Sequence, residues 1–441
     1  MKKTFRKGGI HPPQNKFADT AIKLHPLPLA ATLPLSQHIG APAVPVVAKG
    51  DKVQRGALIA EAPKFISASL HAPISGTVAA IEQVVMPNGK PSPAIIIKAS
   101  QEEHDADTAA REAYWAHIAT ANAAPETAPL PSGKEIADCI VQSGIVGLGG
   151  ATFPSHVKIA HKPGAEAEVL ILNGCECEPC LMCDDAVMST YPSLIVRGAE
   201  LLLKASGIPR AVIAMEDNKP RAARAIARAI PSGSPVSLEI LRTKYPQGGE
   251  KQLVEAVTGR RIASGALPAS VGAVVNNVAT ALSVWQAVNT GMPLIERVVT
   301  VTGDIPETER CNYIVAIGTP LSELPFTFPA KGRAILGGPM MGRTAVNLDG
   351  PVTKGSSGLT ILEGLGRRPV QPCVRCAFCV DACPMGLEPY LLATYGRLRR
   401  FDEARDAGVA DCLECGACSY SCPSSRPILD FIRLAKQRSR Q

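Results

Sequence analysis

The stretch Cys373-Val-Arg-Cys376-Ala-Phe-Cys379-Val-Asp-Ala-Cys383-Pro384 is matched in spacing by Cys412-Leu-Glu-Cys415-Gly-Ala-Cys418-Ser-Tyr-Ser-Cys422-Pro423. Together the two copies use eight of the fourteen cysteines in the chain. Three cysteines at intervals of three residues can wrap one iron-sulfur cluster, whereas the fourth, before proline, ligates the neighbouring cluster of a two-cluster ferredoxin. The duplication therefore predicts two [4Fe-4S] clusters in a helical dicluster ferredoxin domain, which we expect over residues 360–435.

The spacing also predicts which cysteines share a cluster. We expect one cluster to be bound by Cys373, Cys376, Cys379 and Cys422, and the other by Cys412, Cys415, Cys418 and Cys383. A structural zinc site or disulfides are the alternatives, but zinc sites usually show two separated cysteine pairs and not an uninterrupted trio followed by Cys-Pro. All-thiolate clusters of low potential transfer single electrons, so this domain is predicted to be an electron-transfer module.

Length, charge and apolar content indicate a globular protein of several domains. The 441 residues correspond to about three domains, and the formal net charge is 46 − 39 = +7. The richest apolar stretch, residues 266–288, contains Pro268, Asn276 and Asn277 and is a poor membrane span. Residues 1–10 are basic and lack the apolar core of a signal peptide. Together with the oxygen-sensitive cysteine ligands, the lack of an export signal indicates that the protein is located in the reducing cytoplasm. We expect no nucleic-acid partner.

Residues 1–125 contain short apolar runs broken by Gly and Pro, which predicts small strands and tight turns. Within them, residues 50–78 resemble the half-repeats of biotinyl and lipoyl domains, the barrel-sandwich hybrid. Lys64 lies near the cofactor lysine of those domains, yet Pro63 and Phe65 do not match its flanking residues. A solvated turn lysine is therefore the default interpretation, and modification of Lys64 is the alternative.

The pattern changes over residues 126–294, where apolar helices alternate with strand-like runs such as residues 169–172 and 211–214. This alternation predicts an α/β layer structure with a largely parallel sheet. Residues 295–350 return to short β-like runs. The chain as a whole is therefore predicted to be a multidomain α/β protein.

A glycine-rich segment, Gly144-Ile-Val-Gly147-Leu-Gly149-Gly150-Ala-Thr-Phe153-Pro154, lies between two predicted helices. Such a turn lets backbone amides approach a phosphate, and the N-terminus of the following helix favours an anion. Lys158, one turn further on, adds a positive charge. An ordinary turn is the alternative, since a glycine-rich loop on its own is a weak signal.

Four segments in a fixed order strengthen the phosphate-site interpretation. They are residues 144–154, Asn173-Gly-Cys-Glu176-Cys-Glu178-Pro179, Tyr245-Pro-Gln-Gly248-Gly249-Glu250 and Val275-Asn276-Asn277-Val278-Ala-Thr280, and they resemble the flavin-binding NADH subunit of respiratory complex I. With Gly8-Gly-Ile-His-Pro-Pro13, Gly337-Gly-Pro-Met-Met-Gly342 and both cysteine motifs, residues 5–435 resemble the RnfC (also called RsxC) family of the Rnf electron-transport complexes. The resemblance implies a barrel-sandwich-hybrid domain over residues 1–125, a complex-I-type FMN-binding α/β domain over 126–294 and a soluble-ligand-binding β-grasp module over 295–350.

The same resemblance assigns roles within the middle domain, which would bind FMN and accept a hydride from NADH. It places Gly147, Gly149 and Lys158 around the flavin phosphate. It implies flavin contacts from Asn173, Glu176, Gly249, Glu250, Asn276, Asn277 and Thr280, and it places the predicted catalytic residues Phe153 and Glu178 in the nicotinamide pocket. Amides, asparagine side chains and a carboxylate can satisfy the donors and acceptors at the edge of a flavin and tune its potential. Helix capping is the alternative for the asparagine pair.

Four further cysteines lie in one loop. Cys175 stands where the complex I motif has an acid, and Cys177, Cys180 and Cys183 follow within nine residues. A further metal site and packed or reactive thiols are both open at this point.

The resemblance implies a peripheral, NADH-oxidising subunit of a membrane-bound, ion-translocating complex, on the cytoplasmic side of the cell inner membrane. Its partners would be the integral and peripheral subunits of that complex and, indirectly, ferredoxin. The basic residues 432–441 could add a weak contact with anionic lipid or an acidic partner. A non-catalytic iron-sulfur carrier or scaffold and a soluble NADH diaphorase are the alternatives. Neither the translocated ion, Na⁺ or H⁺, nor the direction of electron flow is encoded in the sequence.

Overall fold

The structure is a computed structural model that describes residues 2–17, 19–124, 129–160, 167–364 and 369–439. Its strands form four sheets, and a helical module follows the last strand. The predicted boundary between residues 125 and 126 and the last two residues of the basic C-terminal segment lie outside the described residues.

The described residues before the first helix form short strands. They are β1 (Ile22–Leu24), β2 (Ala30–Pro34), β3 (Val44–Pro45), β4 (Lys52–Val53), β5 (Leu58–Glu61), β6 (Leu70–His71), β7 (Gly76–Val85) and β8 (Pro91–Lys98). The order β2-β8-β7-β4 makes one antiparallel sheet and β3-β5-β6 makes a second. Gly76 begins β7 because a Cβ there would lie 2.3 Å from the Lys98 carbonyl oxygen. Lys64 is exposed in the connection between β5 and β6.

The middle of the chain forms a four-stranded sheet flanked by helices. In chain order the elements are α1 (Gln101–Ala123), α2 (Gly133–Gln142), α3 (Ser155–Ile159), β9 (Val169–Gly174), α4 (Cys183–Thr190), α5 (Pro192–Ser206), β10 (Ala211–Glu216), α6 (Pro220–Ala229), β11 (Val236–Leu241), α7 (Glu250–Thr258), β12 (Ala273–Asn277) and α8 (Val278–Thr290). All strand pairs of the order β11-β10-β9-β12 are parallel. The predicted parallel α/β sheet is thus present, and the carboxyl ends of its strands share one edge, where ligands of such sheets usually bind.

A six-stranded mixed sheet follows. It is built from β13 (Glu296–Gly303), β14 (Cys311–Ala316), β15 (Gly332–Leu336), β16 (Arg343–Thr344) and β17 (Gly358–Glu363), in the order β1-β14-β13-β17-β15-β16. Strand β17 lies beyond the predicted end at residue 350 because Leu359 and Ile361 fill the same buried core as Val301. Strand β1 lies near the start of the chain, and it pairs with β14 at the opposite edge of the sheet. The sheet is therefore larger than residues 295–350, and residues 360–363 belong to it and not to the cluster module.

The C-terminal module consists of short helices around the cysteine motifs. They are α9 (Phe378–Asp381), α10 (Pro389–Arg397), α11 (Phe401–Asp406), α12 (Ala417–Tyr420) and α13 (Ile428–Arg438). The helical segment expected between the two motifs is two helices, α10 and α11, separated near Arg399, which has a φ of +57°. Helices α10 and α13 pack over a small core that contains Leu392 and Ile432.

An N-terminal strap, residues 3–10, connects the α/β sheet with the cluster module. Lys3 pairs with Leu241 at the end of β11, and Ile10 exchanges two backbone hydrogen bonds of 2.9 Å with Tyr245. The Gly9 amide donates to the Ala382 carbonyl oxygen at 3.0 Å, next to the cysteine motif. Within the described ranges, no helix has both the length and the apolar character needed to cross a membrane.

Candidate flavin and iron-sulfur sites

The glycine-rich loop lies at the carboxyl edge of the parallel sheet and is fixed by backbone groups. The Gly147 amide donates to the Phe153 carbonyl oxygen at 2.8 Å, and the Leu148 amide donates to the hydroxyl of Thr280 in α8 at 3.0 Å. A Cβ on Gly149 would lie 3.5 Å from Nδ2 of Asn277. The structure thus brings the loop, Thr280 and the asparagine pair together, with Thr280 serving as an anchor for the loop.

The two adjacent asparagines differ sharply in their partners. Asn277 caps α8, since its Oδ1 accepts from the Ala279 amide at 2.8 Å, and its Nδ2 donates to Asp184 at 2.8 Å. Asn276 is only 3% exposed, and neither its Oδ1 nor its Nδ2 has a hydrogen-bond partner in the described part of the chain. An unsatisfied buried polar group costs about 1–3 kcal/mol. The Asn276 side chain therefore fits a polar ligand at this edge of the sheet.

Lys158 and Glu250 face each other across the same region. The Lys158 ammonium donates to Glu250 Oε1 at 3.0 Å and to the Val275 carbonyl oxygen at 2.8 Å. Gly249 precedes Glu250 as the cap residue of α7 and has no side chain to occupy that helix N-terminus. Lys158, α7 and the strand end beside Asn276 thus offer cationic and amide groups of the kind that hold a phosphate.

Glu176 and Asn173 are held by the protein itself. The Glu176 carboxylate accepts from the backbone amides of Asp184 and Asp185 at 2.7 and 3.2 Å, and Lys16 lies 3.7 Å away. Asn173 donates to the Gly248 carbonyl oxygen at 2.9 Å and accepts from the Cys175 amide at 3.1 Å. Burial and the adjacent Glu176 charge raise the pKa of Asp184 to about 7. Both predicted flavin contacts therefore also stabilise the loops around the site.

The two predicted catalytic residues have different environments. Phe153 is half-buried at the end of the glycine-rich loop. Glu178 Oε1 accepts from the backbone amides of Met340 and Met341 at 2.6 and 2.9 Å, both in the loop that follows β15. Burial raises the pKa of Glu178, while the two amide hydrogen bonds act in the opposite direction.

The four loop cysteines are packed thiols. Cys175 donates to the Ala214 carbonyl oxygen at 3.8 Å, and Cys177 accepts from the Gly248 amide at 3.2 Å. Burial raises the pKa of all four thiols, that of Cys180 to about 11. These contacts, and the burial of Cys175, Cys180 and Cys183, favour the packed-thiol interpretation.

One set of motif cysteines lines a single cavity. Cys383, Cys412, Cys415 and Cys418 surround it, together with apolar side chains that include Leu392 and Ile432. Burial raises the pKa of Cys415 and Cys418 to about 12, so thiolates here require a strongly cationic partner such as iron. The structure thus brings Cys383 of the first motif to the three leading cysteines of the second. We call these four residues the inner set.

The other four cysteines form an outer set, Cys373, Cys376, Cys379 and Cys422, which is more accessible. Cys373 and Cys376 are exposed, Cys422 is half-buried and Cys379 is buried. The segment before Cys373 is tied to the segment after Cys422, because the Gln371 amide donates to the Ser424 carbonyl oxygen and the Ser424 hydroxyl donates to the Pro372 carbonyl oxygen, both at 2.9 Å.

Tyr245 connects the flavin-domain edge with the inner set. Its hydroxyl donates to the Cys415 carbonyl oxygen at 2.7 Å, and the residue is 1% exposed. Cys177 and Met340 pack in the same apolar cluster as Tyr245 and Cys415. Sequence reasoning missed these contacts. Tyr245 and Met340 do lie in the quoted motifs Tyr245–Glu250 and Gly337–Gly342, but a motif does not reveal which distant segment it meets.

Comparison with known proteins identifies the family. The chain is 40% identical to the RnfC protein of the proton-translocating ferredoxin:NAD(+) oxidoreductase complex of Clostridium ljungdahlii, an alignment that covers 100% of this chain and 95% of the relative. It is 38% identical to the corresponding protein of the Na(+)-translocating complex of Acetobacterium woodii, with 98% and 96% covered. The chain belongs to the RnfC family. A third member, from the ion-translocating oxidoreductase complex of Rhodobacter capsulatus, is 40% identical over 98% of this chain and 82% of the relative.

Domain families agree with this membership. Residues 3–102 match the RnfC barrel sandwich hybrid domain, residues 140–286 the Nuo51 FMN-binding domain and residues 372–426 the 4Fe-4S dicluster domain. These matches confirm three of the predicted types of domain, namely the barrel-sandwich hybrid, the FMN-binding domain and the dicluster domain, together with FMN and [4Fe-4S] clusters as cofactors. Two crystal structures of an NAD+-reducing [NiFe]-hydrogenase, H2-reduced and air-oxidized, share the fold over 70% of this RnfC-family chain, each with a TM-score of 0.50 at 18% and 20% identity. They cover 62% and 66% of the hydrogenase chains.

Proposed function

We propose that this chain is the NADH-oxidising, peripheral subunit of a membrane-bound Rnf-type complex that couples electron transfer to ion translocation. When bound, FMN accepts a hydride from NADH, and iron-sulfur clusters transfer single electrons. The observation that carries the proposal is the unpartnered, buried side chain of Asn276 on the same edge as Tyr245, which contacts the inner cysteine set. A polar ligand site and the inner cysteine set thus lie at the same edge of the parallel sheet.

In this proposal, some residues of the site hold the flavin and others lie beside the nicotinamide. We propose that Lys158 and the amides around Gly147 and Gly149 hold the flavin phosphate and that Asn276 contacts the flavin. The backbone segments of Asn173, Gly249 and Asn277 shape the same cleft, while Glu176, Glu250 and Thr280 fix the loops that line it. Phe153 and Glu178 border the nicotinamide pocket in this proposal.

The domain division follows from the sheets. We propose a barrel-sandwich hybrid up to about residue 100, the FMN-binding α/β domain from α2 to residue 294, a β-grasp sheet over 295–363 with β1 added, and a dicluster domain from residue 369 onwards. The inner cysteine set then faces the flavin domain, and the outer set faces outwards. Val374 and Phe378, between and beside the outer cysteines, are 66% and 54% exposed. We propose that this face meets the next redox subunit.

The location and partners follow from family membership. The relatives are named as subunits of complexes that use ferredoxin and NAD(+) and that translocate protons or Na(+). We propose that this chain acts on the cytoplasmic side of the cell membrane, attached to integral subunits, with ferredoxin as an indirect partner. Because relatives of nearly equal identity are named for different ions, we leave the ion unassigned.

The decisive experiment is a cofactor and activity assay on the chain purified anaerobically. We expect one FMN per chain, about eight iron atoms from two [4Fe-4S] clusters, and NADH-to-ferricyanide activity. Iron without FMN or activity would support a non-catalytic carrier or scaffold. Full activity from a chain recovered entirely in the soluble fraction of cells that contain the integral subunits would support a soluble diaphorase.

A further inference from the structure

The loop between β15 and β16, residues 337–342, passes so close to Glu178 that residue 338 has no room for a side chain. A Cβ on Gly338 would lie 2.2 Å from Cγ of Glu178 and 2.7 Å from the Pro179 carbonyl oxygen. Contacts shorter than 3.0 Å are forbidden to real Cβ atoms without displacement of a neighbour. Glycine at residue 338 therefore permits the amides of Met340 and Met341 to reach the Glu178 carboxylate.

The loop is itself held firmly by the six-stranded sheet. The Gly337 amide donates to the Gly358 carbonyl oxygen at 2.8 Å, and the Thr360 hydroxyl donates to the Gly337 carbonyl oxygen at 2.7 Å. The Gly342 amide closes the loop on the Gly338 carbonyl oxygen at 2.9 Å. The donors that meet Glu178 are thus fixed relative to a different domain from the one that carries Glu178.

The other side of the loop meets the inner cysteine set. Met340 packs in the apolar cluster of Tyr245 and Cys415, and a Cβ on Gly416 would lie 3.0 Å from the Met340 carbonyl oxygen. Burial and the nearby Glu178 charge both raise the pKa of the Tyr245 phenol. The loop therefore lies between Glu178 and Cys415 and contacts both sides.

Two backbone amides on one carboxylate oxygen favour the charged form of the carboxylate. This effect opposes burial, which raises the pKa of Glu178. Lys16 also favours the charge, whereas the thiol of Cys177, if ionised, would oppose it. A nicotinamide ring that gives up a hydride becomes positively charged, and a fixed carboxylate beside it stabilises that charge.

We propose that loop 337–342 of the six-stranded sheet is a positioning element for the NADH reaction: its Met340 and Met341 amides orient the Glu178 carboxylate and keep it ionised. This inference rests on the proposed function, in which Glu178 borders the nicotinamide pocket. It gives the β-grasp sheet a role that requires no soluble ligand of its own. In this role, the sheet completes the active site that the flavin domain begins.

The test is the variant Gly338→Ala in the full chain with its cofactors. The new methyl group would clash with Cγ and Oε1 of Glu178 and with the Pro179 carbonyl oxygen, so we expect it to displace the carboxylate from the two amides and to raise the pKa of Glu178. At neutral pH, kcat/KM for NADH should fall roughly tenfold for each unit by which the pKa of Glu178 exceeds the pH of the assay. The value of kcat/KM should recover when the assay is made alkaline. Glu178→Gln should show low activity without this alkaline recovery. Val346→Ala, at a residue of the same domain that is 70% exposed, is the control and should keep the wild-type profile.

A double-mutant cycle separates positioning from general damage. Glu178→Ala removes Cγ and the carboxylate, so a loss that Gly338→Ala causes through Glu178 should not appear a second time in the double variant, which should be no less active than Glu178→Ala alone. Independent structural damage would instead add the two losses. Binding of NAD⁺ to the same variants, measured by calorimetry over the same pH range, should weaken in parallel with the loss of the ionised carboxylate. A crystal structure of the FMN-free Gly338→Ala variant should show Glu178 displaced from the two amides.

The outcomes distinguish this inference from the proposed function. Wild-type protein that binds FMN but does not oxidise NADH would overturn both. Normal NADH oxidation by Glu178→Gln, or additive losses in the cycle, would overturn the inference and leave the proposed function standing. Coupled losses with alkaline recovery and weakened NAD⁺ binding support it.

Discussion

At the scale of single residues, the site contains a buried side chain, Asn276, whose two polar atoms both lack a hydrogen-bond partner among the described residues. Asn276 and Asn277 are adjacent and identical in chemistry, yet one caps α8 and the other has no partner among the described residues. A helix cap is already satisfied, so it does not require a ligand. An orphaned buried amide does, because burial without a hydrogen bond costs more than a typical bond contributes.

Leucine substitutions at the two asparagines should therefore have opposite effects. Asn276→Leu has nearly the same volume and removes unsatisfied polar atoms, so we expect the unfolding temperature of FMN-free protein to stay the same or rise, while the purified chain loses FMN. Asn277→Leu removes a helix cap and a hydrogen bond to Asp184, and it should cost about 1–2 kcal/mol of stability. Flavin absorbance and thermal unfolding measure both. Full FMN occupancy in Asn276→Leu would contradict the assignment.

The sequence motifs predicted which residues lie in the site, but not which of them are free to bind a ligand and which hold the loops in place. The segments that hold Asn173, Glu176, Lys158 and Thr280 were all predicted to meet, and they do meet at the edge of one sheet. Which atoms stay free for a ligand depends on partners distant in sequence, such as Lys16 for Glu176 and Leu148 for Thr280. Those pairings arise from tertiary packing, which no local spacing encodes.

At the scale of elements, each cysteine motif forms the same short loop and helix. Arg375 and Glu414 occupy equivalent positions with φ of +56° and +57°, and Ala377 and Gly416 precede α9 and α12 with φ of +62° and +77°. The exchange between motifs, predicted from spacing alone, agrees with the cavity that Cys383 shares with the second motif.

Crossed ligation can be tested with paired substitutions. Cys383→Ala should remove the cluster that Cys412, Cys415 and Cys418 bind, so its EPR spectrum should match that of Cys415→Ala and differ from that of Cys376→Ala. Cys422→Ala should match Cys376→Ala. Each variant should retain about four iron atoms, because the second cluster keeps its own ligands. A Cys383→Ala spectrum that matches Cys376→Ala would show that each motif binds its own cluster.

Element boundaries were harder to predict than element types. Strands β1 and β17 join a sheet whose other strands lie between residues 296 and 344. Leu359 and Ile361 of β17 fill its core, and β1 pairs through its backbone with β14. Lys354 is buried and donates to the carbonyl oxygens of Ser69 and Gly144 at 2.8 and 2.7 Å, linking three domains. Pairing between distant segments leaves no local signal in the composition. A domain boundary predicted from changes in composition alone therefore leaves such strands out.

At the scale of the whole molecule, four separate parts of the chain meet in a small region around Tyr245. The N-terminal strap, the flavin-domain edge, loop 337–342 and the inner cysteine set all contact this residue or its immediate neighbours. Two members of the outer cysteine set, Cys373 and Cys376, lie in a segment whose residues 369–378 are all exposed. The molecule is therefore polarised, with a buried junction on one side of the cluster module and an accessible face around Cys373 and Cys376.

This polarity predicts how the chain attaches to a membrane complex. The accessible redox face lies on the cluster module, so, under the proposed function, we expect attachment through protein contacts with integral subunits. Charge contacts at such a surface are screened over a Debye length of about 8 Å at physiological salt. High salt or an alkaline wash should therefore release the chain from membranes, as measured by immunoblot of pellet and supernatant, without detergent.

The basic end of the chain should make only a secondary contribution to that attachment. Lys436 already bonds to the Cys412 carbonyl oxygen at 2.6 Å, and Arg433 pairs with Glu414 at 3.1 Å, so part of its charge is satisfied within the module. Deletion of residues 433–441 removes these internal contacts as well, so the iron content of the deletion variant is measured beside its membrane binding. We expect a deletion variant that keeps its iron to bind membranes only modestly less than wild type. Retention of the wild-type chain on membranes from a strain without the integral subunits would contradict protein-mediated attachment and indicate lipid binding instead.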